Sequence, residues 1–245
     1  MEQRNATCAV IGAGDFIGSA IARRFAAEGY TVFAGRRTAG KLEKLKSEIE
    51  AAGGSLVARG LDARKEDEVA NFLRDADAHA PLEVVVINPG ANVQFPILET
   101  TERVFRKVWE MACYAGFLAG RESARLMLER GRGTILFTGA TASLRGGAGY
   151  AAFASAKAGL RNLAQSMARE LGPRNIHVAH LVIDAGVDTD FVRDRIRAAG
   201  RDPGALPPDT LMNPQSVADA YWYLHTQPRD GWTFELDLRP YAERW

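Results

Sequence analysis

Tyr150 and Lys157 stand seven positions apart in the segment GYAAFASAKAGL, Gly149 to Leu160. On an α-helix seven residues turn through about 700°, so the two side chains fall within roughly 20° of one another, with Phe153 on the same stripe. A phenol and an ammonium on one face can do acid/base work. The lysine charge favours a neighbouring anion, and the phenol can donate a proton or polarise an acceptor. Phe153 has no such hydrogen to give. Because Tyr150 stands at the front of the helix pattern beside Gly149, the alternative is a core aromatic that points away.

Two further groups suit a dinucleotide. In AVIGAGDFIGSAIARRF, Gly12, Gly14 and Gly18 fall where a strand pattern ends and a helix pattern begins. A tight turn feeding a helix N-terminus presents free backbone N–H groups and a positive dipole end, which suit a pyrophosphate. The alternative is a tight turn with a structural role only. At the end of the next strand pattern, VFAGRRTAGKL offers Arg36 and Arg37 and no acid. An acid there would accept from the ribose 2′-hydroxyl of NAD, whereas forked guanidinium groups match the 2′-phosphate of NADP. NADP(H) is therefore expected in preference to NAD(H), unless both arginines are solvated loop charges.

Holding these groups together requires a regular alternation of elements. TCAVIG, YTVFAG, GSLVARG, LEVVVIN, GTILFTG, NIHVAHLVI and WTFELDLR read as strands, and helical periodicity falls near 17–29, 40–52, 65–78, 100–129, 149–172 and 214–226. Several strand patterns are apolar almost throughout, as strands buried on both faces are. The expected fold class is α/β: a Rossmann-type doubly wound parallel β-sheet of about seven strands, with helices on both faces. At 245 residues without a linker, the chain suits a single dinucleotide-binding domain spanning 1–245. AAGRDPGALPPDTLMNP, Ala198 to Pro214, interrupts the pattern with four prolines and two glycines. It belongs either to a substrate lid over about 186–213 or to a surface excursion without function.

Composition narrows the partners. With 47% apolar residues, 25% charged residues and a net charge of +1, the chain has the balance of a soluble globular protein. Such a charge gives no reason to expect nucleic acid or an anionic membrane. Cys8 and Cys113 lie far apart without metal-ligand spacing, so neither a disulfide framework nor a metal site is expected. MEQRNATCAVIGAG enters a strand pattern directly, without a targeting segment, and a cytoplasmic location is the expectation.

Together these features resemble the short-chain dehydrogenase/reductase family, from the first strand to about residue 227. The family's opening T-G-x-x-x-G-x-G corresponds to Ile11 through Gly18, with Ile11 for threonine and Phe16 for the middle glycine. Phe16 lacks glycine's backbone freedom, so the resemblance implies a loop reshaped around the phosphates, with Phe16 and Ile17 in it. LDARKEDEV looks like the adenine-contacting segment, which puts Asp62 beside the adenine amino group. INPGAN looks like the N-A-G motif, carried by Asn88, Pro89 and Gly90; Asn88 could equally tie adjacent strands together. VIDAGVDT has Asp184 at a proline position and keeps Thr189, similar to the threonine that contacts the nicotinamide carboxamide. Asp184 is then either a substrate or acid/base group, or a buried acid satisfied by backbone donors.

The catalytic set departs furthest from the family. Its asparagine position falls on Ala112 beside Cys113, its serine on Ala140 beside Thr141, and the tyrosine of Y-x-x-x-K on Phe153. Only Lys157 remains, and the resemblance implies that its ammonium donates to the nicotinamide ribose. The seven-residue spacing of Tyr150 and Lys157 is similar to that of the enoyl-thioester reductases, a divergent branch that reduces carbon–carbon double bonds. Their G-x-x-x-x-x-S-x-A loop corresponds to Gly12, Gly18 and Ala20. Three readings stay open. In the first, the chain is an NADP(H)-dependent oxidoreductase acting on an apolar carbonyl or activated alkene, with Tyr150 assisted by Lys157. In the second, Thr141, Asp184 or a bound water supplies the proton. In the third, the chain is a catalytically inactive dinucleotide-binding sensor or assembly protein.

Phe95, Ile97, Leu144, Phe153 and Phe191 either line a hydrophobic substrate or are core positions. The family's usual association surface falls on helices 100–129 and 149–172, here rich in small residues such as Ala112, Ala115, Ala156 and Ala164. A homodimer or homotetramer through them is expected. The ending WTFELDLRPYAERW adds Pro240, Tyr241 and Trp245, which either pack on a neighbouring subunit or cover the chain's own core.

Overall fold

The computed structural model describes residues 3–243, so Trp245 lies outside the described residues. Seven strands form one sheet: β1 (Thr7–Ile11), β2 (Thr31–Arg36), β3 (Ser55–Gly60), β4 (Leu82–Ile87), β5 (Gly133–Thr138), β6 (Ile176–Ile183) and β7 (Glu235–Leu238). They stand in the order β3-β2-β1-β4-β5-β6-β7, and every neighbouring pair is parallel. The helices are α1 (Ile17–Ala27), α2 (Glu43–Ala51), α3 (Glu66–His79), α4 (Glu102–Trp109), α5 (Ala115–Arg130), α6 (Ala151–Leu171), α7 (Asp190–Ala198) and α8 (Pro214–His225).

β1 shows why this sequence makes a sheet covered on both sides. Successive side chains of a strand point to opposite faces, and all five residues of TCAVI are buried. Cys8 and Val10 join Ile21, Phe25 and Tyr221, from α1 and α8, in one core. Ala9 and Ile11 join Phe72, Leu118, Met127 and Leu160, from α3, α5 and α6, in the other. The strand order reverses at β1, with β2 and β3 on one side and the remaining strands on the other. Such a reversal opens a crevice at the carboxyl ends of the central strands, where ligands of this architecture bind.

Three local features depart from the expected pattern. The helix expected over 100–129 is split by a π-helical stretch, Glu110–Tyr114, and starts only after Thr101, whose hydroxyl accepts from the Val104 N–H at 3.2 Å. A π turn advances the helix face by an extra residue, and Ala112 within it packs against Phe153 and Ala156. The helix expected over 149–172 begins at Ala151, because Gly149 takes φ +80° and Tyr150 takes φ −107°, ψ 18°. The third departure is α7, inside the segment expected to form the lid. Its sequence DFVRDRIRA buries Ile196 alone, so charge masks the helical period.

The ends of that segment are tied together. Val187 and Met212 form a β-bridge, the Asp188 N–H donates to the Met212 carbonyl at 2.8 Å, and the Met212 N–H donates to Gly186 at 2.9 Å. At the C-terminus Tyr241 is 94% exposed, so it does not cover the core. Among the described residues no helix is long and apolar enough to cross a membrane.

Candidate active site

The carboxyl ends of the central strands open on a cavity of about 830 Å³. The segments after four of the strands contribute to it, with Ile17 after β1, residues between Asn88 and Gln94 after β4, between Thr138 and Gly147 after β5 and between Ile183 and Arg201 after β6, and Tyr150, Phe153 and Lys157 complete the wall. A smaller cleft among Glu83, Arg132, His177, His225 and Trp232 lies at the opposite, amino ends of the strands, away from these groups.

Lys157 is 4% exposed, and its Nζ donates to the Thr138 carbonyl at 2.7 Å. Burial disfavours the ammonium and lowers its pKa from 10.5 to about 8. A Cβ on Gly90 would stand 3.7 Å from Nζ, so the glycine leaves the space before the ammonium clear. Phe153 is 7% exposed and packs among Val108, Ala112, Ala152 and Ala156. Its ring centroid lies 5.9 Å from the Lys157 Nζ.

Tyr150 lines the cavity together with Phe153 and Lys157, although it stands before the first turn of α6 and so is not on the helical stripe that the spacing predicts. The cation on its phenol, however, is Arg195 of α7. Nη2 of Arg195 donates to the Tyr150 hydroxyl at 2.7 Å and to Gln94 Oε1 at 2.7 Å, while Nη1 reaches Asn92 Oδ1 at 3.4 Å. The same guanidinium lies 5.8 Å from the Tyr150 ring centroid and 5.6 Å from that of Phe191.

Thr141 and Asp184 are brought together, but not as a pair facing substrate. The Thr141 hydroxyl donates to Asp184 Oδ1 at 2.5 Å, and Arg145 and Arg239 approach the same carboxylate at 3.2 and 3.4 Å. Asp184 is 2% exposed and is not part of the cavity wall. Its partners are side chains rather than the backbone donors anticipated. Thr141 does line the cavity, and with its single hydrogen committed to Asp184 it offers an acceptor there.

The glycines of the first loop do different things. Gly12 takes φ +86°, and a Cβ on it would stand 2.9 Å from the Asn88 carbonyl carbon. Asn88 Nδ2 donates to the Gly12 carbonyl at 2.9 Å, tying the loops after β1 and β4 together. A Cβ on Gly18 would press on the Ala13 Cα at 2.6 Å, whereas nothing lies within 4 Å of one on Gly14. Phe16 precedes α1 without a capping side chain, and the first turn of α1 carries no acid. An uncapped helix N-terminus beside clear space over Gly14 fits a pyrophosphate.

Around that cradle, Arg36 donates to Asp15 at 2.5 Å, and this holds the Asp15 carboxyl below the ordinary carboxylate range. Arg37 is exposed. Asp62 is engaged by Arg64 through contacts of 2.8 and 2.6 Å, which bring its pKa to about 2. Thr189 lines the cavity and also caps α7, its hydroxyl accepting from the Val192 N–H at 3.2 Å. The group as a whole fits a dinucleotide.

Of the apolar residues expected around a substrate, Phe153 and Phe191 line the cavity, while Phe95, Ile97 and Leu144 are exposed and outside its wall. Sequence reading missed Gln94, Arg145, Arg195 and Arg201, which do line it. Their signal is weak, because arginines in irregular or charge-dense segments read as solvated.

Residues 6–199 match the family model described as short chain dehydrogenase. A solved short-chain dehydrogenase from Rhodopseudomonas palustris is 64% identical, covers 97% of this chain and 100% of its own, and superposes with a TM-score of 0.84. A metagenomic short-chain oxidoreductase solved in complex with NADP is 25% identical, covers 97% of this chain and 98% of its own, and has a TM-score of 0.82. The 3-oxoacyl-(acyl-carrier-protein) reductase MabA of Mycobacterium tuberculosis is 29% identical over 225 residues, 89% of this chain and 84% of its own.

Proposed function

The chain belongs to the short-chain dehydrogenase family, and from that premise we propose that it is an NADP(H)-dependent oxidoreductase in which Tyr150 supplies the phenol that Phe153 lacks. The observation that carries this reading is the Tyr150 hydroxyl facing the Lys157 cavity with the Arg195 guanidinium on its oxygen.

The bound nicotinamide would exchange a hydride with the carbonyl or activated alkene. Gly14, the start of α1, Arg36 and Arg37 would hold its phosphates, with Asn88, Gly90, Lys157 and Thr189 at the nicotinamide end. Lys157 has three N–H donors, of which one is used by Thr138, leaving two for ribose hydroxyls. Arg195 occupies one lone pair of the Tyr150 oxygen, so the phenol hydrogen remains available to the substrate. As that proton leaves, the guanidinium stabilises the charge developing on the oxygen. Phe153 and Phe191 supply an apolar wall, and the segment 186–213 serves as lid. The NADP-bound relative supports the choice of cofactor. Trp109, 41% exposed, and Phe117, 38% exposed, stack with Tyr114 on α4–α5 and support association with a second copy through helices 100–129 and 149–172.

NADPH and NADH oxidation followed against matched panels of carbonyls and activated alkenes tests the proposal. NADPH is expected to be oxidised with at least one class and to be the better reductant. NADPH binding without turnover in either class would leave the inactive, dinucleotide-binding alternative standing instead.

A further inference from the structure

The cavity carries more positive charge than this chemistry uses. Arg145, Arg195 and Arg201 line it beside Lys157, and no Asp or Glu does. Arg145 is offset by Asp184 at 3.2 Å. On α7, Arg193 pairs with Asp188 and Arg197 with Asp194. Arg195, which faces the cavity from the same helix, has only the neutral oxygens of Asn92, Gln94 and Tyr150, and forms no ion pair among the described residues. Those contacts use three of its five N–H groups. A guanidinium left without a carboxylate in a cleft lined by positive charge alone attracts an anion, because the cleft concentrates the field of its charges and the forked donors match a carboxylate or phosphate.

We infer that the substrate is a small organic acid whose anionic group, carboxylate or phosphate, is held by Arg195, with Arg201 at the rim. The inference rests on the oxidoreductase reading of the same cavity and adds the substrate class. Phe153 and Phe191 take the apolar body. Because one guanidinium serves both the anion and the Tyr150 phenol, the acidic group and the reacting carbonyl or alkene lie close along the substrate.

The test is calorimetric titration of the full chain loaded with NADP+, using cinnamate, methyl cinnamate and phenyl phosphate as probes. Cinnamate or phenyl phosphate is expected to bind at least about 10-fold tighter than the ester, a charge-assisted margin, and whichever is tighter identifies the anion. Arg195→Gln should abolish that margin, the affinity for the acid falling to that for the ester in the same variant. Gln94→Ala, which releases the arginine from a neutral partner but keeps its charge, should retain it. In the unaltered protein the margin should shrink as sodium chloride rises from about 0.05 to about 0.5 M, a readout independent of how any variant folds. Equal binding of acid and ester, a margin that survives Arg195→Gln, a margin insensitive to salt, or loss of ester binding together with acid binding in Arg195→Gln would each overturn the inference. Failure of the unaltered protein to bind NADP(H) defeats the oxidoreductase reading itself, whereas normal NADP(H) binding without an acid margin defeats only this step.

Discussion

Arg195 donates to the phenol oxygen of Tyr150 at 2.7 Å, so α7 meets the front of α6 through a single guanidinium at the cavity. Removing the phenol oxygen leaves that guanidinium on Gln94. Tyr150→Phe is therefore expected to lower NADPH oxidation about 100-fold, the usual loss for a general acid. NADPH affinity should stay within about 2-fold, and Tm should fall by only about 2 to 4 °C, as for one lost hydrogen bond. Unchanged turnover in steady-state assays would remove Tyr150 from the chemistry.

Phe153 lies 5.9 Å, ring centroid to Nζ, from Lys157 on the same helix. Phe153→Tyr restores a phenol at the four-residue spacing from the lysine. Reduction of simple carbonyls should rise at least about 10-fold, and it should persist when Tyr150→Phe is added. A double variant as inactive as Tyr150→Phe alone would show that the restored hydroxyl does not reach the substrate.

Lys157 gives two pH effects of opposite sign. Its folded pKa of about 8 lies below the ordinary 10.5, so the ammonium is lost as pH rises through about 8. NADPH affinity and turnover, which use the ammonium, should decline across that step. Between about 8 and 10.5 the unfolded chain binds the additional proton, so this group's contribution to stability rises with pH in that window. Lys157→Met should flatten both trends in fluorescence titrations and melting curves. A wild-type affinity that holds level through pH 8 would contradict the assignment.

Asp15 competes for the guanidinium assigned to the 2′-phosphate, since Arg36 is already paired with it at 2.5 Å. Asp15→Asn should tighten NADPH binding by about 3- to 10-fold, the scale of one charge-assisted contact, and leave NADH binding unchanged. Equal changes for the two cofactors would place Arg36 away from the 2′-phosphate.

Asp184 is held by Arg145, Arg239 and Thr141 while almost wholly buried. Asp184→Asn should cost about 3 kcal/mol, because it replaces the buried anion on which Thr141, Arg145 and Arg239 converge by a neutral amide that ion-pairs with neither guanidinium. For a chain of this size that corresponds to a drop in Tm of about 6 to 12 °C. Turnover per folded molecule should remain within about 3-fold, since the carboxylate is not part of the cavity wall. A large loss of turnover with an unchanged Tm would instead favour Asp184 as the proton donor.

The sheet was legible because burial on both faces leaves a local trace: TCAVI has no alternation to hide, and its neighbours repeat the pattern. The Gly12 to Gly18 loop was legible in part, since the positive φ of Gly12 and the approach of Gly18 to Ala13 are local demands, whereas the approach of Asn88 to Gly12 is not. The π turn at Glu110–Tyr114 was not, because one extra residue per turn changes the face without changing composition. The hydrogen bond from Arg195 to Tyr150 spans 45 positions and exists only because α7 folds back over the strand ends. Nothing in DFVRDRIRA distinguishes the arginine that meets the cavity from the two that pair with their own neighbours. The burial of Asp184 depends in the same way on Arg239, which arrives from beyond the last strand.

The bridge between Val187 and Met212 also bears on timing. A segment pinned at both feet has already given up most of its wandering when the chain folds, so α7 stays within reach of the cavity between visits of substrate. Swinging aside then means parting Arg195 from Gln94 and Tyr150 rather than unravelling a loop. On the proposed oxidoreductase reading, the dwell time of a product beneath α7 would follow the lifetime of those contacts. If release limits the cycle, substitutions at Gln94 will change the tempo of turnover without touching the reacting atoms.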